Sequence, residues 1–162
     1  MNPGQPFALK IHATQVAMMQ SQFQLNVVEY LEPRHQIYVY RKDKVAQAVS
    51  LAKAVVTNQF RADEDQQGDP EDIDVTHIAQ YLQIILNQES YYHINLAPSA
   101  AAEYAYEEFR YLDTGRRCYD ETLLAMGPTP PSEYATKLKK QGDGHSRKLR
   151  DVFLQFISGD YE

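Results

Sequence analysis

Apolar residues recur at spacings of three and four in five separate stretches of this chain, and this periodicity constrains its fold more than any other feature. Residues spaced in this way share one side of an α-helix, so each stretch carries a face that must be buried. The first stretch runs from about 12 to 32 through Val16, Met19, Phe23, Val27 and Tyr30/Leu31, and stops before Pro33. The second runs from about Asp43 to Phe60 through Val45, Val49, Ala52 and Val56, widened by Leu51 and Val55. The third starts near Asp69-Pro70-Glu71 or a few residues later and carries Ile73, Ile78, Leu82 and Ile85. Asn87–Ser99 then breaks the pattern. From Ala100 to Met126 the stripe is Ala105, Phe109, Leu112, Arg116, Tyr119, Leu123 and Met126, closed by Gly127-Pro128-Thr129-Pro130-Pro131. A short helix is expected from about Pro131 to Lys140. A last one is expected from Ser146, burying Leu149, Val152, Phe153, Phe156 and Ile157 and ending at Gly159. The expected architecture is an all-α bundle of five or six helices, mostly antiparallel where the links are short. Ile37-Tyr38-Val39-Tyr40 has strand composition, but no second strand is evident in the sequence to pair with it. It is therefore read as the lead into the second helix.

The 162 residues are expected to form a single helical domain, with residues 1–10 an irregular arm containing Pro3, Gly4 and Pro6. One cysteine, Cys118, rules out an internal disulfide and a cysteine-based zinc site. The opening MNPGQPFALK has no basic region followed by an apolar core, and no apolar run approaches the ~20 residues of a membrane helix. These features point to a soluble, acidic, cytoplasmic protein. The formal charge is −6, unevenly spread. Lys137, Lys139, Lys140, Arg147, Lys148 and Arg150 are opposed in their segment only by Asp143. Such a run is more often a solvated helix face than a nucleic-acid site.

The densest acid cluster, 63–74, places Asp63, Asp65, Gln67, Asp69, Glu71 and Asp74 at loop positions 1, 3, 5, 7, 9 and 12, with Gly68 at position 6. A helix–loop–helix calcium site uses this spacing, because oxygen ligands ring a hard cation and the glycine permits a sharp turn. Against it stand the neutral Gln67, the short Asp74 where a bidentate Glu is usual, Pro70 without an N–H, and the lack of a second loop. No resident cofactor is expected beyond weak calcium at this loop. The competing reading is an acidic linker whose Asp69-Pro70 starts a helix.

Other chemistry is sparse. Asp74/His77 and Glu89/His93 are isolated pairs, whereas a transition metal needs three or four converging ligands. Cys118 lies beside Arg116 and Arg117, which lower a thiol's pKa, but Asp120 and Glu121 oppose them and no base is evident. Glu107-Glu108, being adjacent, point to different faces of a helix and make a poor acid/base pair. No Gly-rich phosphate loop, Ser-centred elbow or HExxH is present. The chain therefore reads as non-enzymatic: a scaffold or adaptor engaging a protein partner or a second copy of itself, with no membrane insertion. Its contact surface is expected at Tyr91, Tyr92, Tyr104, Tyr106, Tyr111, Arg116 and Arg117, joined by Lys137, Lys140 and Arg147, since tyrosine and arginine are enriched where partners bind.

Two local resemblances accompany this reading. Tyr111-Leu-Asp-Thr-Gly115 and Lys140-Gln141-Gly142-Asp143 look like the turn of a tetratricopeptide hairpin. Their spacing departs from the 34-residue period, so they argue for antiparallel helix pairs. Thr114-Gly-Arg116-Arg117-Cys118-Tyr-Asp120 resembles the bilin-attachment segment of phycobiliproteins, although there the arginines sit farther from the cysteine. That resemblance implies a helical tetrapyrrole-binding protein as a further alternative.

Overall fold

The computed structural model describes residues 9–61, 64–110, 116–118, 120–121, 124 and 144–160, without the side chains of Phe109 and Arg110. The chain is mostly helical, with a small two-stranded sheet. Five α-helices are Ala13–Phe23 (α1), Val27–Leu31 (α2), Lys44–Val56 (α3), Val75–Asn95 (α4) and Gly144–Ser158 (α5). The strands are Ile37–Tyr40 (β1) and Ala102–Ala105 (β2), and Tyr106–Arg110 follows β2 as a 3₁₀ helix. Residues 116–118, 120–121 and 124 are also helical. Among the described residues no helix is long and apolar enough to cross a membrane.

These residues fall into two compact units. One contains the described residues of Met1–Lys42 and Gln88–Tyr134, the other those of Asp43–Asn87 and Ala135–Glu162. α4 gives its first part to the second unit and its last part to the first.

The second unit is the helical core. Ala48, Val49, Ala52, Ile73, Ile78, Ile85 and Phe153 form one buried cluster, with Val45, Leu51, Val56, Tyr81, Leu82 and Leu149 packed against it. The periodic stripes of α3, α4 and α5 supply these residues, except Ile73, which comes from the extended link between the 3₁₀ turn Pro70–Asp72 and α4. Asp43 caps α3 by accepting from the Ala46 N–H at 2.8 Å, and its other oxygen takes the Arg150 Nε–H of α5 at 2.9 Å. One carboxylate thus ends one helix and ties down another. Asp69 accepts from the Glu71 N–H and starts the 3₁₀ turn Pro70–Asp72, as the Asp-Pro pair suggests. Asp74 accepts from the N–H groups of Thr76 and His77, each at 2.9 Å, and so caps α4. The His77 N–H bond first, then the Thr76 side chain, draw the Asp74 carboxyl down to about 2.

The first unit departs from the sequence reading. β1 and β2 pair in parallel, in the register Ile37↔Ala102 through Tyr40↔Ala105. The helix expected from Ala100 is therefore a strand and a 3₁₀ turn over 102–110. The alternation in Ala102-Glu103-Tyr104-Ala105 is too short to separate from helical spacing, and pairing with a strand more than sixty residues away decides it. Glutamine and serine side chains brace the join: Gln36 Nε2 donates to the Leu96 carbonyl at 3.2 Å and Ser99 Oγ to Gln36 Oε1 at 3.1 Å. The helix expected over 12–32 is split, because Gln24 adopts a left-handed conformation (φ 54°) and Asn26 accepts from the N–H groups of Val28 and Glu29 to start α2 anew. α4 runs on to Asn95, through the break expected at Asn87. Phe156 and Ile157 of α5, expected in the core, are exposed.

Candidate functional site

A parallel strand pair offers ligands one preferred place, the carboxyl ends of its strands, where the chain turns out of the sheet and backbone and side chains converge. In this protein those ends carry Arg41-Lys42 after β1 and Tyr106-Glu107-Glu108 after β2. Lys42 is held twice. Its backbone N–H donates to Glu107 Oε2 at 3.0 Å and its ammonium to Glu108 Oε1 at 2.7 Å. The hydrogen bond to Glu108 raises the Lys42 pKa. Arg41 is treated differently. Its Cζ lies 4.3 Å from the centroid of the Tyr106 ring, and among the described residues it has no carboxylate partner. Among the described residues the edge of the strand pair therefore presents one guanidinium without a carboxylate partner, beside a lysine paired with Glu108.

Behind this edge lies a tyrosine layer. Tyr38 of β1 stacks on Tyr92 of α4 with ring centroids 3.4 Å apart, and Tyr92 donates to Glu103 of β2 at 3.3 Å. Burial, aided by Glu89 and Glu103, pushes the Tyr38 hydroxyl up to about 12; burial, then Glu103, also raises Tyr92. Tyr104 donates to Glu121, and that bond, then burial, raises it to about 12. All three phenols are neutral at physiological pH, so this layer offers no phenolate base. Its work is to hold β1 and β2 together.

The expected partner surface is redistributed by this arrangement. Tyr92 and Tyr104 are buried, Tyr91 is half-buried and Tyr106 is exposed beneath Arg41. Arg116 and Arg117 are exposed and pair with Asp120 at 3.7 Å and Glu121 at 3.8 Å. Arg147 is exposed on α5, while its neighbour Arg150 pairs with Asp43. Tyr111, Lys137 and Lys140 lie outside the described residues, as do the Thr114 and Tyr119 of the bilin-like segment and the 111–115 and 140–143 turns. Cys118 is half-buried.

Of the six oxygen ligands expected in the acidic loop, Asp63 lies outside the described residues. Asp65 and Gln67 are exposed, and Gln67 accepts from Asn58 Nδ2 at 2.8 Å. Asp69 and Asp74 serve as helix caps, and Glu71 reaches the His145 ring at 3.2 Å. Among the described residues no group of three or more His, Cys, Asp or Glu side chains stands close enough to hold a metal ion.

Residues 7–148 match the model of the Stf0 sulphotransferase family. The chain belongs to the Stf0 sulphotransferase family. No curated protein matches it, and no solved structure does. This membership overturns the reading of the chain as a non-enzymatic scaffold or adaptor, together with its calcium-module and tetrapyrrole alternatives. The reason is chemical. A sulphotransferase moves a group between two bound substrates, as a kinase does, by positioning and charge stabilisation, so it needs no triad of nucleophile, base and oxyanion donor. A search for such a triad finds nothing in an enzyme of this kind. Sequence reasoning misses Arg41 and Lys42, and sets Glu107 and Glu108 aside as a poor acid/base pair, because it reads Ile37–Tyr40 as the lead into a helix and Ala102–Ala105 as helix. Glu107 and Glu108 point apart, yet both reach Lys42, one its backbone N–H and the other its ammonium at the end of its long side chain. The available signal was the Ile37–Tyr40 run followed at once by two cations.

Proposed function

We propose that this chain takes part in Stf0-type sulphuryl transfer from an activated sulphate nucleotide, of the 3′-phosphoadenylyl sulphate kind, to a hydroxyl-bearing acceptor. The family match over residues 7–148 carries this reading. When bound, such a donor supplies a sulphur whose bond to the phosphate oxygen breaks as the acceptor oxygen bonds to it, the acceptor proton being lost. The products are a sulphate ester and adenosine 3′,5′-bisphosphate.

The residues present fit the charge of this donor. Arg41 is an uncompensated guanidinium at the carboxyl end of a parallel strand, with planar donors suited to a phosphate or sulphate oxygen pair. They do not include a Gly-rich phosphate loop, so only anion binding is assigned here, to Arg41. Lys42 contributes less, because Glu108 already takes its charge. The tyrosine layer keeps the two strand ends in register while the ligand is held.

The test is transfer of label from ³⁵S-labelled donor to a panel of sugar and phenol acceptors by the full chain. The expected result is a labelled ester formed in equal amount with adenosine 3′,5′-bisphosphate. A chain that yields no ester and binds neither nucleotide contradicts the proposal.

A further inference from the structure

Two cations follow β1 and two acids follow β2; both acids bond Lys42, and among the described residues Arg41 has no carboxylate partner. Random pairing at an exposed edge would share the charge. Instead Glu107 fixes the backbone of Lys42 and Glu108 its ammonium, while Tyr106, immediately before them, lies under the Arg41 guanidinium. These three consecutive residues open the 3₁₀ turn that follows β2, beside the end of β1. A guanidinium on an aromatic face keeps its N–H edge available for in-plane bonding, because the ring contacts only its flat side.

We propose that Tyr106, Glu107 and Glu108 are positioning residues for anion binding: Tyr106 seats the Arg41 guanidinium on its ring, and Glu107 and Glu108 anchor the adjoining Lys42 by its backbone N–H and its ammonium and so fix the end of β1 from which Arg41 projects, so that the Arg41 edge receives the phosphate or sulphate oxygens of the nucleotide. This rests on the sulphuryl-transfer reading above and adds three residues that act through Arg41 without touching the ligand themselves. It carries a counter-intuitive sign. If the glutamates were mere bystanders, removing two negative charges beside an anion site would tighten binding by Coulomb's law. As positioning residues, their removal loosens it.

The probe is adenosine 3′,5′-bisphosphate, titrated calorimetrically into the full chain at fixed ionic strength. Variants with an unchanged helical spectrum and melting temperature are compared. Arg41→Ala is expected to weaken binding about tenfold to a hundredfold, the loss of charge-assisted hydrogen bonds. Tyr106→Ala is expected to weaken it about two- to fivefold, and Tyr106→Phe to restore it, since the ring and not the hydroxyl carries the guanidinium. Glu107→Gln/Glu108→Gln is expected to weaken it about two- to fivefold. Arg41→Ala weakening with Tyr106→Ala neutral, or with the double glutamine variant equal to or tighter than wild type, overturns the inference and leaves the functional reading standing. Wild type that does not bind, or binding indifferent to Arg41→Ala, removes the anion site and the inference with it.

Discussion

The two units of this protein are built on different principles. The Asp43–Asn87 and Ala135–Glu162 unit is held by an apolar cluster drawn from three amphipathic helices, with Ile78 and Val49 fully buried. Among the described residues the strand-bearing unit buries Val16, Val27 and Ala105 beside Tyr92 and Tyr104, which are bonded to Glu103 and Glu121, with Tyr38 stacked on Tyr92, and its edge carries Arg41 and Lys42. Apolar burial dominates the first, and polar and aromatic contacts the second. On the proposed function, substitutions in one unit should not mimic those in the other.

The largest expected effect sharpens that contrast. Phe153→Ala is predicted to destabilise by about 3–5 kcal/mol and Ile78→Ala by about 2–5 kcal/mol, because each leaves a cavity in the helical core. Tyr106→Ala, at a half-exposed ring, is expected to cost under about 1 kcal/mol. Urea denaturation of the three variants checks this. Equal losses for Tyr106→Ala and Phe153→Ala would break the distinction between the units.

Next is Gly68→Ala. A Cβ there would meet the Val56 carbonyl oxygen and carbon, which are backbone atoms of the α3 end and cannot swing aside. The loop that returns from α3 is bonded there by the Gln67 N–H to the Thr57 carbonyl at 2.9 Å. The predicted loss is about 1–3 kcal/mol in thermal or urea unfolding. Unchanged stability would show that this return loop is not tied to the core.

The smallest effect is in acid. The Asp74 carboxyl is drawn below its ordinary value of 3.8, to about 2, by its helix-cap bonds. A lowered folded-state value means that its stabilisation is present above pH 4 and is lost as pH falls from there towards 2. Asp74→Asn should flatten the stability–pH curve in that window and leave its shape above pH 5 unaltered. A variant curve that keeps the full acid slope would assign the acid sensitivity elsewhere.

How much was legible in the sequence follows the same division. α3, α4 and α5 were legible because helical burial is local: Val45, Val49, Ala52 and Val56 signal their shared face within thirteen residues. Asp43 marked the start of α3 and Asp69-Pro70 that of the 3₁₀ turn ahead of α4, through cap chemistry that is equally local. β1 and β2 were not legible, because four-residue strands carry little periodicity and each is defined by its partner across the intervening α3 and α4. The candidate site was lost with them, since Arg41 meets Tyr106, and Lys42 meets Glu107 and Glu108, only when the strands pair. The acidic loop 63–74 drew attention by spacing, but spacing does not reveal that Asp69 and Asp74 are committed to N–H groups of their own helices.

The most direct test is to map where the nucleotide sits. Amide chemical shifts of the full chain, followed during titration with adenosine 3′,5′-bisphosphate, should move at Tyr40–Lys42 and Ala105–Glu108, and Arg41→Ala should abolish those shifts while the α3–α5 core signals stay in place. Shifts confined to the α5 segment around Arg147, with Tyr40–Lys42 unmoved and Arg41→Ala without effect, would contradict the placing of the donor at the strand ends.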